Sequence, residues 1–67
     1  MTVASLQRKP TGEFVVHMEN GQVWEQTELN SRARLRPGSA VRIKRGAFGS
    51  YLLVTPDGIG TSVRRLD

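Results

Sequence analysis

The residues with the most chemical content are one tryptophan, one histidine and a run of arginines. His17 and Trp24 are the sole members of their types. They flank Asn20-Gly21 inside the stretch E-F-V-V-H-M-E-N-G-Q-V-W-E-Q, residues 13–26. Asn-Gly is the favoured pair for a two-residue type I′ turn, because both central positions need positive φ. Such a turn predicts that Glu19 faces Gln22, Met18 faces Val23, His17 faces Trp24, Val16 faces Glu25 and Val15 faces Gln26. Phe14, Val16, Met18 and Val23 then share one face, expected to be core. Val15, His17, Gln22 and Trp24 share the other. An indole opposite an imidazole could form a stacking platform for a base, a sugar or a peptide side chain, with about 1–3 kcal/mol per stacked base. The competing expectation has Trp24 packed beneath residues 27–36, where a large ring helps an undersized core.

Six cations, Arg32, Arg34, Arg36, Arg42, Lys44 and Arg45, fall within residues 32–45 with no acidic residue among them. Arg42 and Lys44 share one face of a predicted strand, and the arginines before them could reach the same side. This pattern suits a phosphate backbone or an acidic protein, or simply a solvated face that aids solubility. Nucleic-acid binding becomes the better reading only if Trp24, Phe48 or Tyr51 borders the patch, since single strands are read by stacking. Phe48, on the turn Gly46-Ala47-Phe48-Gly49, either anchors another protein or folds back over the end of the core.

Catalytic chemistry is hard to assemble from these residues. There is one histidine and no cysteine, and the six carboxylates Glu13, Glu19, Glu25, Glu28, Asp57 and Asp67 are scattered. The type I′ register sends His17 and Glu25 to opposite faces, so no acid–base dyad is expected there. No glycine-rich phosphate loop opens a helix, and no metal-ligand spacing occurs. A non-catalytic chain without cofactor or metal is expected.

The elements that would hold these residues are short strands punctuated by turns. Thr2–Gln7 is a plausible first strand, with Val3 and Ser5 on one side and Ala4 and Leu6 on the other. Pro10, Thr11 and Gly12 turn the chain into the Asn20-Gly21 hairpin. Residues 27–39 are either a loop with a helical turn or a short strand over Arg32–Arg36, with Leu29 and Leu35 plugging an end of the core. Ala40–Arg45 alternates cleanly, Val41 and Ile43 against Arg42 and Lys44. Ser50–Thr55 is apolar on both faces. Pro56-Asp57-Gly58 turns into a last strand near Ser62–Leu66.

Sixty-seven residues make one small domain, residues 1–67. Burying an apolar side chain contributes roughly 1.5–3 kcal/mol, while ordering a residue's backbone costs about 1–2 kcal/mol. Nearly all the larger apolar groups must therefore be inside. A flat sheet would leave its apolar face uncovered, so the expected fold is all-β, a small SH3-like barrel of five or six short antiparallel strands. An OB-like barrel is the lesser alternative, because the chain is short and lacks a helix between its central strands. No transmembrane segment is expected. The absence of cysteine removes disulfides and thiolate sites from consideration.

Met18-Glu19-Asn20-Gly21-Gln22-Val23-Trp24-Glu25-Gln26, then Pro37-Gly38-Ser39-Ala40-Val41-Arg42-Ile43, then Gly46-Ala47-Phe48-Gly49-Ser50-Tyr51-Leu52-Leu53, form a pattern with a familiar look. It resembles a small C-terminal module of uncharacterised bacterial proteins, often preceded by a secretion signal. The resemblance spans roughly residues 11–66, and its most specific part is Asn-Gly-Gln-Val-Trp. It implies a bacterial source and no settled activity. It also implies a periplasmic or envelope location if a leader was removed; a complete chain would be expected in the cytoplasm.

The function expected from these residues is a binding or structural module that docks a protein partner, or a domain of its own parent, through an aromatic and basic surface. Nucleic-acid binding through the arginine-rich segment is the alternative. Pairing of an exposed sheet edge with a second copy is a further expected route to a homo-oligomer.

Overall fold

The structure is a computed structural model that describes residues 1–67, all but the side chain of Phe48. The two readings of that ring therefore lie outside the described residues. Six strands form: β1 (Val3–Arg8), β2 (Phe14–Met18), β3 (Val23–Gln26), β4 (Arg42–Arg45), β5 (Tyr51–Val54) and β6 (Gly60–Arg65). A 3-10 turn over Ala47–Gly49 joins β4 to β5. The Pro10-Thr11-Gly12 reversal closes with the Gly12 N–H donating to Lys9 O at 2.9 Å. In the Pro56-Asp57-Gly58 reversal, Gly58 N–H donates to Thr55 O at 2.9 Å.

All pairings are antiparallel, and the sheet order is β1-β2-β3-β6-β5-β4. Two three-stranded meanders thus meet at the β3–β6 seam. Residues 27–41 carry the chain from mid-sheet to the far edge.

The expected SH3-like barrel is not what forms. The sheet is open, with β1 and β4 as its end strands and no ladder between them. The crossover explains why. Its last residues, not β4, lie against the start of β1. Gly38 N–H donates to Val3 O at 2.8 Å, Val3 N–H donates to Ser39 O at 2.9 Å, and Thr2 forms an isolated bridge with Ala40. The crossover also covers the apolar face that a closing strand would otherwise cover. Ala33 and Leu35 are buried in the core, while Arg32, Arg34 and Arg36 between and around them point to solvent. Leu29, expected as a plug, is instead 54% exposed.

The Asn20-Gly21 turn also differs from expectation. Observed partners are Val15 with Glu25, Val16 with Trp24 and His17 with Val23, a shift of one place from the type I′ register. Gly21 N–H donates to Met18 O at 3.0 Å and Met18 N–H donates to Gln22 O at 2.8 Å, so Glu19, Asn20 and Gly21 form a three-residue loop. Gly21 has φ of 91°. The Asn20 carboxamide oxygen accepts from Gln22 N–H at 3.0 Å, the side-chain-to-backbone contact that favours Asn in turns. A turn followed by a left-handed glycine is the standard three-residue hairpin. Because strand periodicity is two, a one-place shift moves every side chain of β3 to the other face.

The core face therefore holds Phe14, Val16 and Met18 together with Trp24 and Gln26. Val23 moves to the outer face, with Val15, His17 and Glu25. A second irregularity lies in β1. Val3 pairs with Met18 but Ser5 pairs with His17, leaving Ala4 as an extra residue. That bulge lets both Val3 and Leu6 face the core, which strict alternation forbids. Leu53 of β5 and Val63 of β6 complete the interior with Val41.

Candidate docking surface

Trp24 is an interior residue. It is 4% exposed, and its indole N–H donates to the Gln22 side-chain oxygen at 3.0 Å. Tyr51 packs edge-on against it, with ring centroids 5.2 Å apart and planes at 69°. Such T-shaped pairs are worth about 0.5–1.5 kcal/mol beyond their buried area. His17 lies on the opposite face of the sheet, so the expected Trp24–His17 platform does not form. Tyr51 itself is half-buried.

The shifted register places His17 and Glu25 on the same face, against the expectation that they would be apart. Glu25 is nevertheless committed elsewhere. Its two oxygens are held by Lys9 Nζ at 2.6 Å and by Arg64 Nε at 2.7 Å. Arg64 reaches it directly across the β3–β6 ladder. The Lys9 hydrogen bond, followed by that of Arg64, holds the Glu25 carboxyl below the usual carboxylate range. Glu13 is also lowered, chiefly by the Thr11 hydroxyl. With the folded pKa depressed, Glu25 contributes stability in full above its unfolded pKa and loses it as pH falls through the folded value. Lowering pH from about 7 to about 3 should thus reduce the urea midpoint more in the native chain than in Glu25→Gln. Glu13 is present in both proteins, so the difference reports Glu25 together with its charge coupling to Glu13. Equal acid sensitivity would mean the two cations add nothing.

The remaining cations behave differently. Among the described residues, only Lys9 and Arg64 lie within 4.0 Å of a carboxylate. Arg32, Arg34, Arg36, Arg42, Lys44 and Arg45 are all exposed. They do not all share one face. Arg42 and Lys44 share the outer face of β4, whereas Arg45 falls on the other face of that strand and Arg32 lies on the crossover.

Three of them do converge on a pair of adjoining grooves. Arg34 and Arg36 wall an open groove of about 650 Å³, whose lining includes Leu35, Pro37, Ala40 and Pro56. Asp57 also lines it, its carboxylate accepting from the Thr55 hydroxyl. Arg42 walls the second groove, of about 490 Å³, with Met1, Val41 and Val54. Ala40 and Pro56 line both. Neither groove is lined by Trp24 or Tyr51. The sequence flags Pro37 and Pro56 only as turn markers. Their meeting at one surface depends on the crossover docking beside the β5–β6 turn.

Among the described residues, no three His, Asp or Glu side chains gather closely enough to hold a metal ion, and no helix is long and apolar enough to cross a membrane. No family model, curated protein or solved structure matches the chain.

Proposed function

We propose that the chain is a non-catalytic docking module whose twin grooves receive an acidic segment of a protein partner or of another domain of its parent. One observation carries this reading. Arg34, Arg36 and Arg42 stand on two grooves that share Pro56 and Ala40, and none has a carboxylate within 4.0 Å. A lining that combines Leu35, Pro37, Ala40 and Pro56 with guanidinium groups suits a segment that mixes apolar and acidic side chains. Arginine presents a planar fork that matches a carboxylate, and it is enriched at protein interfaces. Complementary charge also speeds encounter and discriminates between partners.

Nucleic-acid binding is the less supported reading, because the aromatic half of that chemistry has no exposed indole to use. Trp24 is interior, and Tyr51 leans on it. The test is fluorescence anisotropy with a labelled acidic–apolar peptide and with an oligonucleotide of equal charge. The triple variant Arg34→Glu, Arg36→Glu, Arg42→Glu, with folding checked by circular dichroism, should weaken peptide binding by roughly tenfold to a hundredfold, about 1.4 kcal/mol per tenfold. Tighter oligonucleotide binding with a slope of about 0.7–0.9 log units per neutralised phosphate would replace this reading with the nucleic-acid one. Unchanged peptide affinity in the triple variant would remove the grooves from consideration.

A further inference from the structure

We infer that the acidic segment binds as an added antiparallel strand along the free edge of β4, an inference that rests on the docking reading above and specifies the partner's conformation. β4 ends the sheet and pairs only with β5. The direction of its main-chain groups follows from its two ends. Val41 N–H donates to Met1 O at 2.8 Å, and the Met1 ammonium donates to Val41 O at 2.8 Å, so Val41 points away from β5. Gly46 N–H donates to Ser50 O at 2.8 Å, on the β5 side. The β4–β5 register is uninterrupted from Arg42 to Arg45. Alternation along an antiparallel strand then turns the main-chain groups of Arg42 and Lys44 toward β5, and those of Ile43 and Arg45 outward. The outward groups form an unoccupied lane that continues from the Met1–Val41 pair.

Side chains along this lane specify the occupant. Arg42 and Lys44 stand on the outer face, unpaired and exposed. Ile43, between them, faces the other way and packs against the core. An incoming strand would meet the two cations at alternate positions and Ile43 at the position between. The matching segment is acidic–apolar–acidic. Arg42 also walls the second groove, so the lane and the groove are continuous. A second copy is a poor occupant. Two β4 edges laid together would oppose Arg42, Lys44 and Arg45 with the same cations, and like charges across strands destabilise pairing.

The decisive measurement is amide hydrogen exchange by NMR on the full chain, with and without a peptide of alternating glutamate and valine. Ile43 and Arg45 amides should slow by roughly tenfold or more on binding, the expected effect of one added main-chain hydrogen bond. Arg42 and Lys44 amides, already bonded to β5, should change little. An Ile43→Pro variant removes one outward donor at an edge position, where proline is tolerated, and should weaken the peptide by roughly tenfold. If that variant does not fold, the exchange result decides alone. If the peptide binds and the Arg34, Arg36 and Arg42 reversals weaken it while Ile43 and Arg45 exchange unchanged, the strand-addition inference falls and the docking reading stands. Absence of peptide binding overturns both. Protection of the same two amides without peptide, rising with protein concentration, would assign the edge to self-pairing instead.

Discussion

Replacing Trp24 with alanine is expected to cost about 3–5 kcal/mol, the range for removing a large aromatic ring from a core. A domain of this size has total stability of only about 3–10 kcal/mol, so the variant should be largely unfolded or close to it at room temperature. The cost has three sources. The ring is 4% exposed among Phe14, Val16, Met18 and Val63 in one interior cluster. Its edge-on contact with Tyr51 would disappear. The Gln22 carboxamide would lose the indole donor at 3.0 Å. Trp24→Phe should retain most of the packing and cost less than the alanine. Urea unfolding followed by far-UV circular dichroism gives the ranking, and acrylamide should quench native Trp24 poorly. A cost below about 1 kcal/mol with free quenching would place the ring at the surface, where substitutions are usually nearly neutral.

Gln26→Leu should show the second large effect. Gln26 is 2% exposed, yet both ends of its carboxamide are engaged. Its oxygen accepts from Phe14 N–H at 3.3 Å and its nitrogen donates to the Thr61 hydroxyl at 2.9 Å. The amide thus joins β2, β3 and β6 across the seam between the two meanders. Leucine conserves volume but leaves a buried main-chain N–H without a partner, a loss of about 1–3 kcal/mol. Adding Thr61→Val should cost little beyond the single variant, because it removes the hydroxyl that lost its partner. A double-mutant cycle between positions 26 and 61 therefore should be strongly non-additive. Independent, additive losses would show that the hydrogen bond does not couple the strands.

Burial of Trp24 also bears on the proposed docking. Trp24 is interior, and the half-buried Tyr51 packs edge-on against it. A chain this short has few large apolar groups, and the structure places most of them inside. In the proposed docking, recognition rests on arginines, whose aliphatic stems and planar heads serve exposed positions well.

Much was legible from local signals. The number of strands and the turns at Pro10–Gly12, Asn20-Gly21, Gly46–Gly49 and Pro56–Gly58 depend on backbone preferences of neighbouring residues, and these stand where expected. Of the two leucines expected to plug the core, Leu35 is buried and Leu29 is exposed. The register at Asn20-Gly21 was not legible. A two-residue and a three-residue loop both satisfy an Asn-Gly pair, and only packing of Trp24 and Gln26 against Phe14, Val16 and Thr61 chooses between them. Openness of the sheet was decided by the crossover, whose residues 38–41 take the first rungs beside β1 before β4 can. The grooves required the same event, since Arg34–Ala40 and Pro56 are far apart in sequence and meet only through long-range contact. Short-range chemistry set the pieces; their faces, edges and meeting points came from burial, which acts across the whole chain at once.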